Sequence, residues 1–409
     1  MPFRLFAAIL LTSATIQAAS LPAPEVFSQM DRMTATLAEI TGWPVKKKVP
    51  SEILSKDKFQ HYLSTHIKDS AHDKETRAEE LALKMFGLVP QEFNLARETE
   101  DLLGEQAAAF YDYKKKRLYI IDSTPAGEEQ RMALVHELAH ALADQQHALG
   151  KYLNHGSPDS DESTAREAVM EGQATWLTWA YAAKLAGGKA EVPSRMLAQL
   201  TEDHDDNAAF PVLDKTPLYM RESLLFPYNE GARFQDAVYR KLGKIAFDAV
   251  FTRSPASTQQ VLHPELYLED RKQPLQIEPE GIEKIAGKQA REWRALIEGS
   301  VGEFDHAVLL RQFVGKSEGA EAAVHWRRGW FRLYERKKDG HAMLSYVSQW
   351  DTPAAAREYF NLYQRVLKGK WKKMEVTSAA ENEVQGRGDS GTFTLRIAGA
   401  NVQSVEGLP

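Results

Sequence analysis

Two histidines and a glutamate stand within five consecutive residues of this sequence, in a stretch that is otherwise apolar. His136, Glu137 and His140 belong to the run His-Glu-Leu-Ala-His, and residues 132–143 contain neither Gly nor Pro, which favours a helix. Residues four apart on a helix share one face, so both imidazoles can bind one metal ion. Glu137 is turned by about 100° from His136 and can reach a water at the open position of that metal. The pattern predicts a zinc hydrolase site in which Glu137 is the general base.

The alternative interpretation is a helix whose two histidines lie at its surface or cap its end. The neighbours of the motif weigh against it, because a buried imidazole or carboxylate needs a partner that satisfies it. These neighbours are Ala133, Leu134, Val135, Leu138, Ala139, Ala141 and Leu142.

A catalytic zinc site needs a third protein ligand. The chain contains no Cys, so this ligand must be a histidine or a carboxylate. The metzincin spacing is excluded, because Gln146 and Ala143 occupy the positions of its third ligand and its glycine. A second helical pattern, which we predict at 164–186, offers Glu167 and Glu171 instead.

These two carboxylates are four residues apart and compete for the role of third ligand. Thr164 and Glu167 have the spacing of a capping box, which gives Glu167 a structural role at the start of the helix. Glu171 lies in the helix body near Val169 and Trp176, where an ionised carboxylate must be paired or bound to metal. We predict Glu171 as the ligand, with Glu167 as the alternative or as a group that supports a ligand.

Other polar residues are candidates for supporting roles. Asp144 follows His140 by four residues, so it either holds the free ring nitrogen of a ligand histidine or is a solvated residue in the last turn. Tyr228 and His263 are possible donors of a proton or a hydrogen bond to the oxyanion. For His263 the favoured alternative is a structural loop at 254–267 in which the histidine is satisfied.

The pattern of elements predicts an α+β protein. We expect a mainly helical region at 20–300, with helices before about residue 103, a hairpin at 109–122 and the metal helix at 131–147. Alternating strand patterns then predict a small α+β module at 301–409, without a catalytic constellation of its own.

The composition limits the compartment and the partners. Residues 1–19 have the basic start, apolar centre and small residues of a cleavable signal peptide, and an uncleaved anchor is the alternative. We therefore expect a secreted or periplasmic protein without a membrane span after signal removal. The net charge of −6 and the absence of a basic face argue against a nucleic-acid partner. The lysine runs at 46–48 and 114–117 are interpreted as solvated loops.

The chain resembles secreted bacterial zincin metallopeptidases of the gluzincin kind. Within them it resembles a largely uncharacterised group, over most of the chain from about Glu75. The segments that carry these resemblances are Phe110-Tyr-Asp112, His136 to Gln145, Glu171-Gly-Gln-Ala174, Phe226-Pro-Tyr228, Ser257 to Pro264 and the strand-rich region after Gly302.

The resemblance implies a catalytic centre of known type. It implies one zinc ion per chain bound by His136, His140 and Glu171, with Glu137 as the base. It also implies that Gly172 lets two helices approach closely, and that the sheet edge before the metal helix can pair with an extended peptide.

The expected function is zinc-dependent hydrolysis of a peptide or protein substrate by a zincin-like domain at 20–300. One alternative is a zinc-binding protein without catalysis that acts through the module at 301–409. Another is a metal hydrolase that acts on a non-peptide amide. Glu137 favours catalysis over the first alternative, because a purely structural zinc site has no use for a base.

Overall fold

The computed structural model describes residues 23–71, 74–106, 108–122, 127–154, 156, 159–199, 211–269 and 277–409. The signal peptide predicted at 1–19 lies outside the described residues. The α+β class predicted from the sequence is confirmed, since helices form most of the first part of the chain and a large sheet forms the last part. Within the described ranges, no helix combines the length and the apolar character that crossing a bilayer requires.

Helices alternate with short connections along most of the chain. Over the described residues, in chain order, they are α1 (Ala23–Thr41), α2 (Lys56–Ala71), α3 (Lys74–Phe86), α4 (Leu95–Gln106), α5 (Glu128–His147), α6 (Leu149–Leu153), α7 (Ser160–Leu185), α8 (Ser194–Gln199), α9 (Pro211–Lys215), α10 (Leu218–Leu242), α11 (Ala246–Thr252), α12 (Thr258–Leu262), α13 (Pro264–Leu268), α14 (Ile282–Ala286), α15 (Glu303–Phe313), α16 (Lys316–Ala323) and α17 (Pro353–Lys370). Short 3-10 helices occupy Gly243–Ile245 and Gly287–Glu292.

The strands form two separate sheets. They are β1 (Ser51–Leu54), β2 (Ala109–Asp112), β3 (Arg117–Ile121), β4 (Trp293–Ser300), β5 (Trp326–Arg336), β6 (Ala342–Trp350), β7 (Glu375–Ala380), β8 (Glu383–Gly388), β9 (Gly391–Ala398) and β10 (Asn401–Leu408).

The smaller sheet has the strand order β1-β3-β2. Strands β2 and β3 pair antiparallel at the position of the predicted hairpin, with Tyr111 opposite Leu118. Strand β1 adds to β3 in parallel, which the sequence pattern did not indicate. Strand β2 is therefore an edge strand, and it packs against α5.

Helix α5 carries the His-Glu-Leu-Ala-His run and is almost entirely buried from Ala133 to Asp144. It begins at Glu128, three residues before the predicted start, and ends where Ala148 takes a left-handed φ of 51°. Its small alanines let α1 and α7 pack closely against it, so the polar residues of the motif are enclosed by other helices.

Helix α7 starts earlier than predicted, and this corrects the capping box proposed for Thr164 and Glu167. The helix begins at Ser160, and the Asp159 side chain accepts a bond of 3.1 Å from the Glu162 amide. Thr164 lies inside the helix, where its hydroxyl donates to the Ser160 carbonyl at 3.1 Å. The capping role is therefore taken by an aspartate upstream, a better acceptor for the first turn.

Gly172 lies at the closest contact between α7 and α10. A Cβ built on it would come within 2.0 Å of the Gly231 carbonyl carbon. A Cβ on Gly231 would lie 2.1 Å from the Ala168 oxygen. The close approach of two helices expected at Gly172 is present, and α10 is the helix that meets α7 there.

Helix α10 runs without a break through Pro227. A proline inside a helix cannot donate to the carbonyl four residues earlier. The helix continues because both of its halves pack on neighbours: Phe226 contacts Phe304 of α15, and Gln235 accepts a bond from Gln173 of α7. Tyr228 is thereby held on a helix facing the centre of the molecule.

The larger sheet is antiparallel and has the order β4-β5-β6-β10-β9-β8-β7. Its first strand begins at Trp293, ahead of the predicted boundary at 301. Helix α17 packs on the sheet, capped by Thr352 with Pro353 at its first position. Phe86 of α3 contacts Phe331 and Tyr346 of the sheet at ring distances of 5.5 and 5.4 Å, so one apolar core joins the sheet to the helices.

Candidate metal centre

Three side chains from two helices converge on one point. His136 and His140 extend from successive turns of α5, and Glu171 extends from the body of α7. Glu171 Oε2 lies 3.0 Å from His136 Nε2 and 3.2 Å from His140 Nε2, and the two Nε2 atoms are 3.0 Å apart. All three residues are between 2 and 5 % exposed. The structure thus brings together the three residues that the sequence proposed as ligands.

This donor set fits a four-coordinate zinc ion. Zinc bonds of about 2.0–2.1 Å in a tetrahedron separate neighbouring ligand atoms by about 3.3 Å. The observed separations of 3.0 to 3.2 Å differ from that value by a few tenths of an ångström, which small rotations of the side chains can supply. Two neutral imidazoles and one carboxylate are also the donors found in many catalytic zinc sites.

Glu137 is the second carboxylate close to the imidazoles. Its carboxylate oxygen lies within 4.8 Å of the ring nitrogens of His136 and His140. Glu171 makes the direct contacts with both rings, whereas Glu137 Oε2 accepts a 2.5 Å bond from the backbone N–H of Tyr111. The contacts therefore favour Glu171 as the ligand and leave Glu137 beside the centre.

The charges within the centre are strongly coupled. Burial acts to raise the pKa of Glu171, but the two imidazoles outweigh it and lower that pKa to about 2. Burial acts to lower the pKa of His140, but the Glu171 carboxylate outweighs it and raises the pKa. Burial lowers the pKa of His136. A metal ion bound here would require both imidazoles to be unprotonated, so it would compete with a proton for His140.

Asp144 lies in the last turn of α5 and is buried. Its carboxylate accepts bonds from the Tyr111 hydroxyl at 2.9 Å, from Lys116 Nζ at 2.7 and 2.6 Å, and from the Leu149 amide at 2.9 Å. These donors occupy it in place of a ligand histidine or bulk solvent, the two roles that the sequence left open for it. Lys116 makes this contact while its side chain stays 55 % exposed, so the turn that carries it is solvated, as predicted.

Glu167 lies one turn before Glu171 on α7 and is half-buried. Because residues four apart share a face, it points to the same side of the helix as Glu171. The direct bonds to His136 and His140 come from Glu171. Glu167 thus shares a face of α7 with Glu171, and its supporting role stays a prediction.

Tyr228 of α10 lies against one of the ligand candidates. Its ring centre is 5.8 Å from that of His136, and the two rings are inclined by 27°. The side chain is half-buried. Tyr228 therefore lies next to one of the imidazoles, and its role as a donor stays a prediction.

His263 has a different environment. Its Nε2 lies 2.7 Å from Glu303 Oε1, and the Glu303 carboxylate raises the pKa of His263. Gln259, in the same segment, donates to Glu303 at 2.8 Å and to the Trp326 carbonyl at 2.6 Å. The segment 257–264 therefore joins the helices to the larger sheet, and these contacts favour the structural alternative for His263.

Sequence reasoning missed two residues next to the centre, Tyr111 and Lys116. Tyr111 binds Glu137 through its backbone and Asp144 through its hydroxyl. Lys116 binds Asp144 from the turn between β2 and β3. One signal was present in the sequence: a buried aspartate in an apolar helix requires a donor, and the lysine-rich turn precedes that helix.

The fold and the centre define an α+β protein with a candidate metal site between α5 and α7. Residues 294–409 match a family described as a domain of unknown function, DUF8575. No curated protein and no solved structure matches the chain. The family match covers the larger sheet with its helices, and the residues of the candidate metal centre precede it.

Proposed function

We propose that this protein is a zinc-dependent peptidase of the zincin type. The observation that carries the proposal is the buried convergence of His136, His140 and Glu171 with Glu137 beside them. Two further features agree with a zincin: the third proposed ligand, Glu171, comes from a following helix, and an edge strand, β2, packs on the helix that carries both histidines.

In this proposal His136, His140 and Glu171 hold one zinc ion per chain. The chemistry supplied by bound zinc is Lewis acidity, which polarises the scissile carbonyl and lowers the pKa of water. The apolar faces of α5 and α7 around the three ligands exclude bulk water, which strengthens electrostatic interactions within the site.

Glu137 moves the proton. As the water oxygen forms its bond to the carbonyl carbon, the Glu137 carboxylate takes a proton from that water. When the carbon–nitrogen bond breaks, Glu137 delivers the proton to the leaving amine. The 2.5 Å bond from the Tyr111 amide fixes the orientation of its carboxylate for both steps.

Two groups near the centre would bind the substrate. Tyr228, next to His136, can donate its hydroxyl proton to the oxygen of the polarised carbonyl. Backbone groups of the edge strand β2 other than the Tyr111 N–H, which binds Glu137, would pair with an extended peptide.

The proposal is tested by measuring metal content and peptide cleavage together on the exported form of the chain. We expect about one zinc per chain in protein purified without chelator, and cleavage of some members of a proteome-derived peptide library. Glu137→Gln keeps the shape of the side chain, so zinc content should be unchanged, while the rate should fall by roughly 10²–10⁴-fold because the base is lost.

Three results would contradict the proposal. A chain that contains no zinc and takes none up does not have the site. A chain that binds zinc but cleaves no peptide is the non-catalytic zinc-binding protein instead. Rates for the wild type and Glu137→Gln that agree within a factor of about three would remove Glu137 as the base.

We further propose that the chain is exported. This rests on the signal pattern at residues 1–19, which precedes the described residues. Expression of the full chain in a bacterial host, followed by N-terminal sequencing of the periplasmic or secreted protein, should show a start near residue 20. A cytoplasmic product that retains Met1 would contradict export.

A further inference from the structure

A single residue of strand β2, Tyr111, makes two hydrogen bonds to helix α5. The backbone N–H of Tyr111 donates to Glu137 Oε2 at 2.5 Å, and its hydroxyl donates to Asp144 Oδ2 at 2.9 Å. Glu137 and Asp144 are seven residues apart, so they share one face of α5 and are separated by about 10 Å along its axis. Tyr111 therefore lies along the helix face that carries the proposed base.

Asp144, which accepts the bond from the Tyr111 hydroxyl, is paired with a positive charge. The Asp144 side chain is only 2 % exposed, and a buried carboxylate is costly unless it is paired. Lys116 Nζ lies 2.7 and 2.6 Å from its two oxygens. The Leu149 amide, just beyond the end of α5, adds a bond of 2.9 Å. Asp144 is thus a fixed anchor for the Tyr111 hydroxyl.

The backbone of Lys116 has an unfavourable conformation. Its φ is 55°, in the left-handed region that side-chain-bearing residues rarely adopt. Glycine or asparagine is the usual choice at such a position in a hairpin turn. The turn therefore carries a backbone cost at the residue whose ammonium group pairs with Asp144. The adjacent Lys115 is similarly exposed but pairs with Asp112, at 3.6 Å.

We propose that Lys116, Asp144 and Tyr111 are positioning residues that aim Glu137 for proton transfer; this inference rests on the proposed peptidase function. The Lys116 ammonium group holds the Asp144 carboxylate in place, and this carboxylate accepts the bond from the Tyr111 hydroxyl. The position of the Tyr111 side chain in turn sets the position of its backbone N–H, which binds the Glu137 carboxylate. Burial and the Asp144 charge both raise the pKa of Tyr111, so its hydroxyl stays protonated and remains a donor. Because Tyr111 bonds to Glu137 directly, a change at Tyr111 or at its partners can alter the orientation of the base.

The test compares Tyr111→Phe, which removes only the hydroxyl, with Lys116→Met, which removes the charge that anchors Asp144. Each should lower kcat by about tenfold, because a base that is less well oriented loses transition-state stabilisation. KM and zinc content should stay within about twofold of the wild type, because the hydroxyl and the ammonium group that are removed bind Asp144 and not the metal ligands. Lys116→Arg should restore most of kcat, and Lys115→Met is the matched control that should leave kcat unchanged.

A second comparison separates positioning from simple stabilisation. If Tyr111 acts through Glu137, Tyr111→Phe should have no further effect on the residual rate of Glu137→Gln, measured with the same library-derived peptide. If it acts through the fold, the two losses should multiply. Lys116→Met offers the same comparison should Tyr111→Phe fail to fold.

The outcomes distinguish this inference from the proposed function. Glu137-dependent cleavage that is unchanged by both Tyr111→Phe and Lys116→Met overturns the positioning role and leaves the peptidase intact. The positioning role is also overturned if the kcat loss of Tyr111→Phe or Lys116→Met multiplies with that of Glu137→Gln. Loss of zinc from either variant overturns it as well. A wild-type chain without any cleavage overturns the proposed function, and the inference fails with it.

Discussion

At the scale of single residues, the carboxylate of Glu171 sets the charge of the centre. It lies in contact with both imidazoles, which lower its pKa to about 2, so it is ionised over the whole physiological range. The same contact raises the pKa of His140 against the effect of burial. Removing Glu171 would take away the carboxylate that contacts both imidazoles, and this would weaken the attraction for a divalent cation.

The first prediction compares the two glutamates that compete for the ligand role. Glu171→Ala should weaken zinc binding by at least about 100-fold, because a ligand is lost. Glu167→Ala should weaken it by less than about tenfold, because this side chain only neighbours the ligand. Competitive titration with a chromophoric chelator measures both. If Glu167→Ala shows the larger loss, Glu167 is the ligand and the assignment must be reversed.

At the scale of elements, the position of Glu171 depends on the contact between α7 and α10. Gly172 follows Glu171 directly and meets Gly231 where neither residue has room for a Cβ. Gln173 and Trp176, on the next turn of α7, bond to Gln235 and Asp236 of α10. The contact between Gly172 and Gly231 therefore sets the distance between α7 and α10. The position of α7 in turn sets the distance from Glu171 to the histidines of α5.

The second prediction concerns this contact. Gly172→Ala should lower the free energy of unfolding by about 3 kcal/mol, because its Cβ would lie 2.0 Å from backbone atoms and the helices must separate. Zinc affinity should fall with it. Denaturant unfolding and zinc titration on the same variant check both effects.

Gly104→Ala is the matched control for this prediction. Gly104 is also helical, but a Cβ there meets nothing within 4 Å. Stability should therefore stay the same or rise by up to about 1 kcal/mol, as usual when alanine replaces a helical glycine. Equal effects of the two substitutions would show that α7 and α10 can separate at Gly172 without loss of stability.

At the scale of the whole molecule, the start of α7 is joined to the larger sheet by a buried polar network. Asp159 Oδ2 lies 2.6 Å from an Arg328 nitrogen of β5, and the Asp161 amide donates to the Ser300 hydroxyl at 2.7 Å. Thr258 donates to Asp161 through its amide, at 3.2 Å, and through its hydroxyl, at 2.5 Å. The helix that carries Glu171 is thus anchored on the region that matches the DUF8575 family.

The third prediction uses the unusual ionisation of Asp161. Burial and the nearby charge of Asp159 raise the pKa of Asp161 to about 8 from an ordinary value of 3.8. The folded chain therefore holds this proton more tightly than the unfolded chain. The resulting stabilisation is complete below about pH 4 and is lost as the pH rises towards 8. Asp161→Asn cannot ionise, so its Tm should fall less than that of the wild type between pH 5 and pH 8, by a few degrees.

Thermal unfolding of both chains in the same chelator-containing buffer measures this difference. Asp57→Asn, which changes an exposed carboxylate on α2, is the control and should follow the wild type. Parallel Tm curves for the wild type and Asp161→Asn would mean that Asp161 is ionised in the folded chain, with Arg328 or solvent compensating its charge.

The sequence by itself determined the features that depend on local geometry. The spacing of His136 and His140 places both rings on one helix face, because the helical repeat fixes that relation without reference to the rest of the chain. The α+β class and the hairpin at 109–122 followed from alternation and turn residues in the same way. Glu171 was selected because a carboxylate in an apolar helix body requires a partner, wherever that partner lies.

Tertiary structure alone decided which surfaces meet. It placed the Tyr111 amide on Glu137, gave Asp144 to Lys116 in place of a ligand histidine, and turned Gly172 towards α10. In each case the partners are between 26 and 59 residues apart, as the Tyr111–Glu137 and Gly172–Gly231 pairs show. Such contacts depend on how whole helices pack, and packing is decided by the sum of many small, non-directional contacts that no local spacing records.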